Sequence, residues 1–117
     1  MAIESLLCRL APPIDRSALL LRCMGRAHLM ERVLKTFLSQ VSADLDLLEI
    51  AIAKSDAFDT ARLAHRVRGT SLSVSANEFA VIAQALEEAE GASLEEVRRL
   101  AVRLQDEYRR IVDFVGS

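Results

Sequence analysis

Helix-breaking residues are sparse in this chain of 117 residues, and they leave long segments uninterrupted. The two prolines are adjacent, at positions 12 and 13, and the four glycines are Gly25, Gly69, Gly91 and Gly116. Proline and glycine cost more free energy in a helix interior than other residues do, so their rarity favours helices. No segment shows the alternation of apolar and polar residues that a half-buried strand requires. We therefore predict an all-α fold.

Apolar residues recur at three- and four-residue spacings along the chain, which places them on one face of each predicted helix. In the longest segment this stripe comprises Met30, Val33, Leu34, Phe37, Val41, Leu45, Leu48 and Ile52. The predicted helices cover residues 2–10, 15–24, 27–54, 57–74, 75–91 and 94–115, and the second and fifth of these ranges begin at their predicted N-caps.

Capping signals support these boundaries. Asp15 and Asp56 are predicted N-caps, since a short side-chain oxygen there accepts from the first free backbone N–H groups. Ser75 and Ser93 each begin an S-x-x-E capping box. Gly25 and Gly91 are the predicted ends of the helices before them.

Short connections make neighbouring helices antiparallel. We therefore predict an antiparallel up-down four-helix bundle preceded by short N-terminal helices. The chain is expected to form one domain over residues 1–117, with an N-terminal helix or arm at 1–13 and the bundle at about 15–115. With 4% aromatic residues, the core must be mainly aliphatic.

Charge, apolar runs and cysteine content together argue against several classes of protein. Fifteen basic and 17 acidic residues give a net charge of −2, unlike the basic footprint of a nucleic-acid-binding domain. No apolar run approaches the roughly 20 residues of a membrane helix. We expect no signal peptide, because the first residues lack a basic segment and a long apolar stretch. Cys8 and Cys23 are too few for a disulfide scaffold. We expect a cytoplasmic protein that binds neither nucleic acid nor membranes.

One histidine has unusual neighbours. His65 lies within the predicted helix 57–74, and Gly69 follows one turn later on the same face. Arg62, Arg66 and Arg68 concentrate three cations near it in a chain of net negative charge. Nearby positive charge disfavours an imidazolium and keeps the ring nucleophilic, and the same charges stabilise an anion on it. A small residue beside the ring gives another molecule access.

Spacing alone leaves other interpretations open. A histidine among arginines also fits an ordinary solvated helix face, and Gly69 also fits the end of a shorter helix followed by a loop at 70–74. A metal site is disfavoured, because His28, His65 and the two cysteines lack zinc-type spacing. Neither histidine follows a glutamate at three residues, as the di-iron bundles require. His28 is expected at the surface.

The residues around His65 resemble the histidine-containing phosphotransfer (HPt) domain family of phosphorelays. The family pattern, approximately A-H-x-L-K-G-[SA]-[SA], then G-A and later L-E, aligns with Ala64 to Ser71, Ser75-Ala76 and Leu86-Glu87. The resemblance covers about residues 14–115. Three departures from the pattern are Arg68 for lysine, Ser75 for glycine, and Arg26 for the aspartate of an upstream Gly-Asp pair.

The resemblance implies a helical bundle in which His65 accepts a phosphoryl group. It implies that Arg68 stabilises the charge of that group, with Arg62 as a weaker candidate, and that Gly69 gives access. Glu87 matches a family position near the histidine, which implies that its carboxylate accepts a hydrogen bond from Nδ1–H and leaves Nε2 free. An equally weighted alternative is that Glu87 belongs to a solvated acidic run.

The remaining expectations concern binding. Arg66 and Leu72 are candidate supporting residues, and Phe58 shares the face of His65 with Leu72. The implied partners are receiver domains of response regulators or hybrid sensor kinases, which bring Mg²⁺, so no cofactor is expected on this chain. The family expectation is a monomer.

Two alternatives remain at this point. The first is a non-catalytic helical interaction module with a degenerate HPt motif. The second is a histidine-kinase dimerisation domain, but this chain has no glycine-rich nucleotide box and therefore no autophosphorylation of its own.

Overall fold

The computed structural model describes residues 11–116, and all the regular structure in that range is helical. The predicted helix 2–10, with Cys8, lies outside the described residues. The five helices of this range are α1 (Arg16–Arg22), α2 (Ala27–Ala53), α3 (Ala57–Ser73), α4 (Asn77–Glu87) and α5 (Leu94–Gly116). The all-α prediction is confirmed, and most helix ends agree with the sequence to within two residues.

Three predicted N-terminal caps are confirmed. The Asp15 carboxylate accepts from the backbone N–H of Ala18 at 3.0 Å, and that of Asp56 accepts from Asp59 at 2.9 Å. At the start of α5, the Ser93 hydroxyl oxygen accepts from a backbone N–H at 3.2 Å. These bonds satisfy donors that the first helical turn leaves free, and so they fix where the helices begin.

The capping box predicted at Ser75 is wrong. Ala76 is the N-cap of α4 and makes no side-chain cap bond, whereas Ser75 has a φ of +59°. Its left-handed backbone closes the end of α3, because the N–H of Ala76 then reaches the Ser71 carbonyl at 2.9 Å. The Ser75 carbonyl also accepts from Asp15 N–H at 3.1 Å, which joins this turn to the start of α1.

The predicted end of α4 at Gly91 is also wrong. The helix ends at Glu87, and Glu88 is its C-cap. The N–H of Ala89 bonds back three residues to the Leu86 carbonyl at 3.2 Å, so the chain tightens into a turn before Gly91 is reached. This early end sets Glu87 at the C-terminus of the helix.

The core forms where the apolar faces of α2, α3, α4 and α5 meet. Each of these helices packs against the next in the chain, and α2 also contacts α5. Phe37 and Phe79 meet edge to face within this core, with ring centroids 6.4 Å apart. The up-down order of the four helices stays a prediction. Within residues 11–116, no helix is long and apolar enough to span a bilayer.

Candidate functional site

His65 stands on the outer face of α3. Its neighbours Leu63, Ala64 and Val67 are fully buried and hold the inner face of the helix against the core. The helical repeat therefore turns residue 65 away from the core, and its side chain is 62% exposed. The imidazole is therefore accessible from solvent.

The ring is fixed by a carboxylate from the next helix. Nδ1 of His65 lies 2.7 Å from Oε2 of Glu87, the last residue of α4. An ionised carboxylate only accepts hydrogen bonds, so at this distance Nδ1 carries the proton and donates it. In the neutral ring, this leaves the lone pair on Nε2.

Arg68 approaches the same nitrogen. Its Nη2 lies 3.1 Å from Nδ1 of His65, and its Nε lies 3.3 Å from Oε1 of Glu87. One Nδ1 atom cannot donate to the carboxylate and accept from the guanidinium at once, and the shorter contact assigns the donor role. The buried Nε makes no hydrogen bond within the described chain, so its contact with Glu87 is ionic.

The other two arginines are paired elsewhere. Nη2 of Arg62 lies 2.6 Å from Oδ1 of Asp59, one turn earlier on α3. Nη2 of Arg66 lies 2.7 Å from Oδ1 of Asp44 on α2. Within residues 11–116, Arg68 is thus the arginine that contacts the imidazole, and the other two cations of the expected cluster are paired with carboxylates on α3 and α2.

Sequence reasoning did not identify Asp44 as a partner. It is 7% exposed and lies on the buried face of α2, beside Leu45 and near Val41. A carboxylate within an apolar stripe needs a cation or hydrogen-bond donors as partners. The position of Asp44 in the stripe of α2 was therefore the sequence feature that could have indicated a buried ion pair. Its bond to Arg66 ties α3 to α2 one residue after His65.

Gly69 lies inside α3, which continues to Ser73, so the alternative of a helix ending at Gly69 is wrong. A Cβ built on Gly69 meets no atom within 4 Å, which means that this position borders open space beside His65. Along the same face, Phe58 is 77% exposed and Leu72 is 46% exposed. The described surface near the imidazole therefore combines a gap with two apolar side chains.

The side chains of Glu87 and Arg68 are 26% and 30% exposed, so both groups that contact the ring are partly shielded from solvent. A carboxylate at a helix C-terminus opposes the helix dipole, and the Arg68 guanidinium offsets that cost. Among residues 11–116, no group of three or more His, Cys, Asp or Glu side chains can hold a metal ion, and His28 is exposed on α2.

The chain matches the model of a known protein family. The family model described as the Hpt domain matches residues 32–114, which cover α3 and α4 entirely and most of α2 and α5. No curated protein and no solved structure matches the chain.

Proposed function

The chain belongs to the Hpt domain family, whose members transfer phosphoryl groups in two-component phosphorelays, and on that premise we propose that His65 is its phosphoacceptor. In this proposal His65 takes the group from a receiver-domain aspartyl phosphate or a sensor kinase and passes it to a response-regulator aspartate. The observation that carries the proposal is the exposed imidazole whose Nδ1 lies 2.7 Å from Oε2 of Glu87.

The chemistry follows from the tautomer. With Nδ1 protonated, Nε2 of the exposed ring keeps its lone pair and attacks phosphorus in line with the leaving carboxylate oxygen. Phosphoryl transfer passes through a loose transition state, so positioning and charge stabilisation supply most of the rate. The partner receiver brings Mg²⁺ and its own acidic pocket, and this chain brings the positioned ring.

Arg68 is the residue of this chain best placed to stabilise the charge of the bound phosphoryl group. Its Nη2 lies 3.1 Å from Nδ1 of His65, so its positive charge acts on the ring and on a group that the ring carries. Arg62 makes a smaller contribution through the local field, because Asp59 neutralises it. Arg66 supports the helix through Asp44 and not the phosphoryl group.

The docking surface is the exposed face of α3. Phe58 and Leu72 each lie seven residues from His65, about 10 Å along the helix axis on either side. Gly69 leaves room for the partner's loops between Leu72 and the ring. Apolar side chains around a polar centre suit a small interface that dissociates readily, as a relay requires. We propose that the protein acts as a cytoplasmic monomer.

The test is phosphoryl transfer from a panel of phosphorylated receiver domains. We expect label on the wild type that is lost in acid and retained in base, which is the behaviour of a phosphohistidine. His65→Gln is expected to abolish the label while circular dichroism shows an unchanged fold. His28→Gln is the matched control, since it removes the other histidine of the chain, which is also exposed.

The second candidate function is a docking module without phosphoryl transfer. It is favoured if receivers bind the protein while His65→Gln and wild type carry the same label or none. It shares the apolar face of Phe58 and Leu72 with the relay proposal, so binding measurements alone do not separate the two.

A further inference from the structure

Glu87 touches both the imidazole and the arginine beside it, and this double contact has consequences for the phosphorylated protein. We propose that Glu87 is a positioning residue that keeps the proton on Nδ1 after phosphorylation, and thereby holds phosphohistidine 65 in its readily transferable form. This inference rests on the proposed function, because it concerns the lifetime of a phosphoryl group on His65.

The proton balance of the attack supports it. The Nε2 lone pair forms the N–P bond, and the P–O bond of the donor breaks with its electron pair passing to the carboxylate oxygen. No proton moves, so the ring keeps Nδ1–H and becomes an imidazolium that carries a phosphoryl group. A carboxylate 2.7 Å from Nδ1 stabilises that cation as it forms.

The return transfer needs the same proton. When the N–P bond breaks toward an acceptor carboxylate, its electron pair returns to Nε2 and a neutral imidazole leaves. If Nδ1 had lost its proton, the leaving group would be an imidazolide anion, which leaves far less readily. A residue that retains the Nδ1 proton therefore shortens the lifetime of the phosphorylated form and speeds its transfer.

Arg68 opposes this effect. Its Nη2 lies 3.1 Å from Nδ1, where a cation disfavours the imidazolium and where an N–H group can donate to an unprotonated Nδ1. Glu87 offsets that charge through Oε1, 3.3 Å from Nε of Arg68. Replacing the carboxylate with an amide removes the offset and leaves the arginine to expel the Nδ1 proton.

The other charged groups near this part of α3 are already paired. Arg62 is bound to Asp59 on the same helix, and Arg66 is bound to Asp44 on α2. On α4, Glu88 follows Glu87 but is exposed and accepts from the Gln84 amide at 3.0 Å. The contacts to Nδ1 in the described chain thus come from Glu87 and Arg68.

The experiment phosphorylates the protein with phosphoramidate, so that no receiver is needed, and follows the phosphohistidine signal by ³¹P NMR at a series of pH values. Relative to wild type, we expect Glu87→Gln to lengthen the lifetime about threefold to tenfold near pH 7, because a charge-assisted hydrogen bond is lost. As pH rises, the phosphohistidine of Glu87→Gln is expected to become long-lived at a lower pH than that of wild type. Glu88→Gln is the matched control, since it removes a neighbouring carboxylate that does not contact the ring.

A double variant tests whether Arg68 opposes Glu87. In the Glu87→Gln background, Arg68→Gln is expected to restore part of the short lifetime, because the opposing cation is gone. Equal lifetimes and pH profiles in wild type and Glu87→Gln, with both proteins folded by circular dichroism, overturn the inference. A chain that phosphoramidate labels on His65 but receivers do not would instead contradict the proposed function, so the two failures are distinguishable.

Discussion

Nδ1 of His65 and Oε2 of Glu87 lie 2.7 Å apart, although the two residues are separated by 22 positions in the chain. The contact exists because α3 and α4 pack side by side after the short turn at Val74 to Ala76. Glu87 is the last residue of α4. The packing of two helices thereby selects which ring nitrogen is free.

Removing the Glu87 side chain is expected to reverse the tautomer. In Glu87→Ala, an N–H group of Arg68 is left as the contact of Nδ1, and it donates to the Nδ1 lone pair, so that the proton moves to Nε2. We expect phosphoramidate to label His65 about tenfold more slowly, measured as the initial rate of the ³¹P signal. Combining Glu87→Ala with Arg68→Ala is expected to recover part of the rate. A rate equal to that of wild type would contradict the assigned tautomer.

Arg68 is expected to act through its charge. Arg68→Ala should slow labelling of His65 by a phosphorylated receiver about tenfold, a modest loss because the side chain is partly exposed to solvent. Arg68→Lys keeps the charge and is expected to retain most of the rate. Arg109→Ala on α5 is the control, because Arg109 also pairs three residues back, with Asp106. Similar losses in Arg68→Ala and Arg109→Ala would show that only overall charge matters.

Gly69 is expected to lower the stability of α3 and to give a receiver domain access to His65. The position is helical and open, so Gly69→Ala should raise the free energy of unfolding by about 1 kcal/mol. Gly69→Leu fills the gap beside His65 and should slow transfer from a receiver about tenfold by displacing the partner. Phosphoramidate is small, so its labelling of Gly69→Leu should change little. If the bulky variant accepts phosphate from receivers at the normal rate, the partner does not approach over Gly69.

The parts of the site that follow from local rules could be predicted from the sequence. The helical repeat places Arg68 and Gly69 on the face of His65, and the structure has them there. Glu87 needed the resemblance as well, because no spacing rule relates residues on different helices. The roles assigned to these residues stay predictions until transfer is measured.

Other features depended on tertiary packing or on competing local signals. The partner of Arg66 is on α2, so only the packed bundle could identify it. At Ser75 the S-x-x-E pattern indicated a cap, but closing α3 requires a left-handed residue at this point. The backbone hydrogen bonds that end α3 determine the conformation of Ser75, and Ser75 therefore does not cap α4.

Ser75→Gly is expected to stabilise the fold. A non-glycine residue in the left-handed region costs about 1 kcal/mol, and glycine adopts the φ of +59° without that cost. Part of the gain is lost to the greater freedom of glycine in the unfolded chain, so we expect a net increase of about 0.5 kcal/mol in denaturant unfolding. Ser73→Gly is the control with the opposite sign, because Ser73 is helical and its hydroxyl donates to the Thr70 carbonyl at 2.6 Å. A loss of stability in Ser75→Gly would mean that the serine side chain contributes more than the strain costs.

The last prediction concerns Glu107, which is 5% exposed on the inner face of α5. Burial raises the pKa of its carboxyl group, Arg110 at 2.8 Å acts against that rise, and Glu78 adds to it. Oε2 of Glu107 has no hydrogen-bond partner in the part of the chain that the structure describes. Ionised Glu107 therefore carries a desolvation cost that the ion pair with Arg110 does not cancel.

The sign of the pH dependence follows from that raised pKa. The folded protein binds the Glu107 proton more tightly than the unfolded chain does, so this residue lowers the free energy of unfolding as pH rises above the ordinary range of glutamate. Glu107→Gln cannot ionise, and its stability relative to wild type should increase between about pH 4 and pH 7. The measurement is denaturant unfolding of both proteins across that range, with Glu95→Gln, an exposed carboxylate of the same helix, as the control. A relative stability of Glu107→Gln that decreases with pH would show that the attraction of Arg110 outweighs burial.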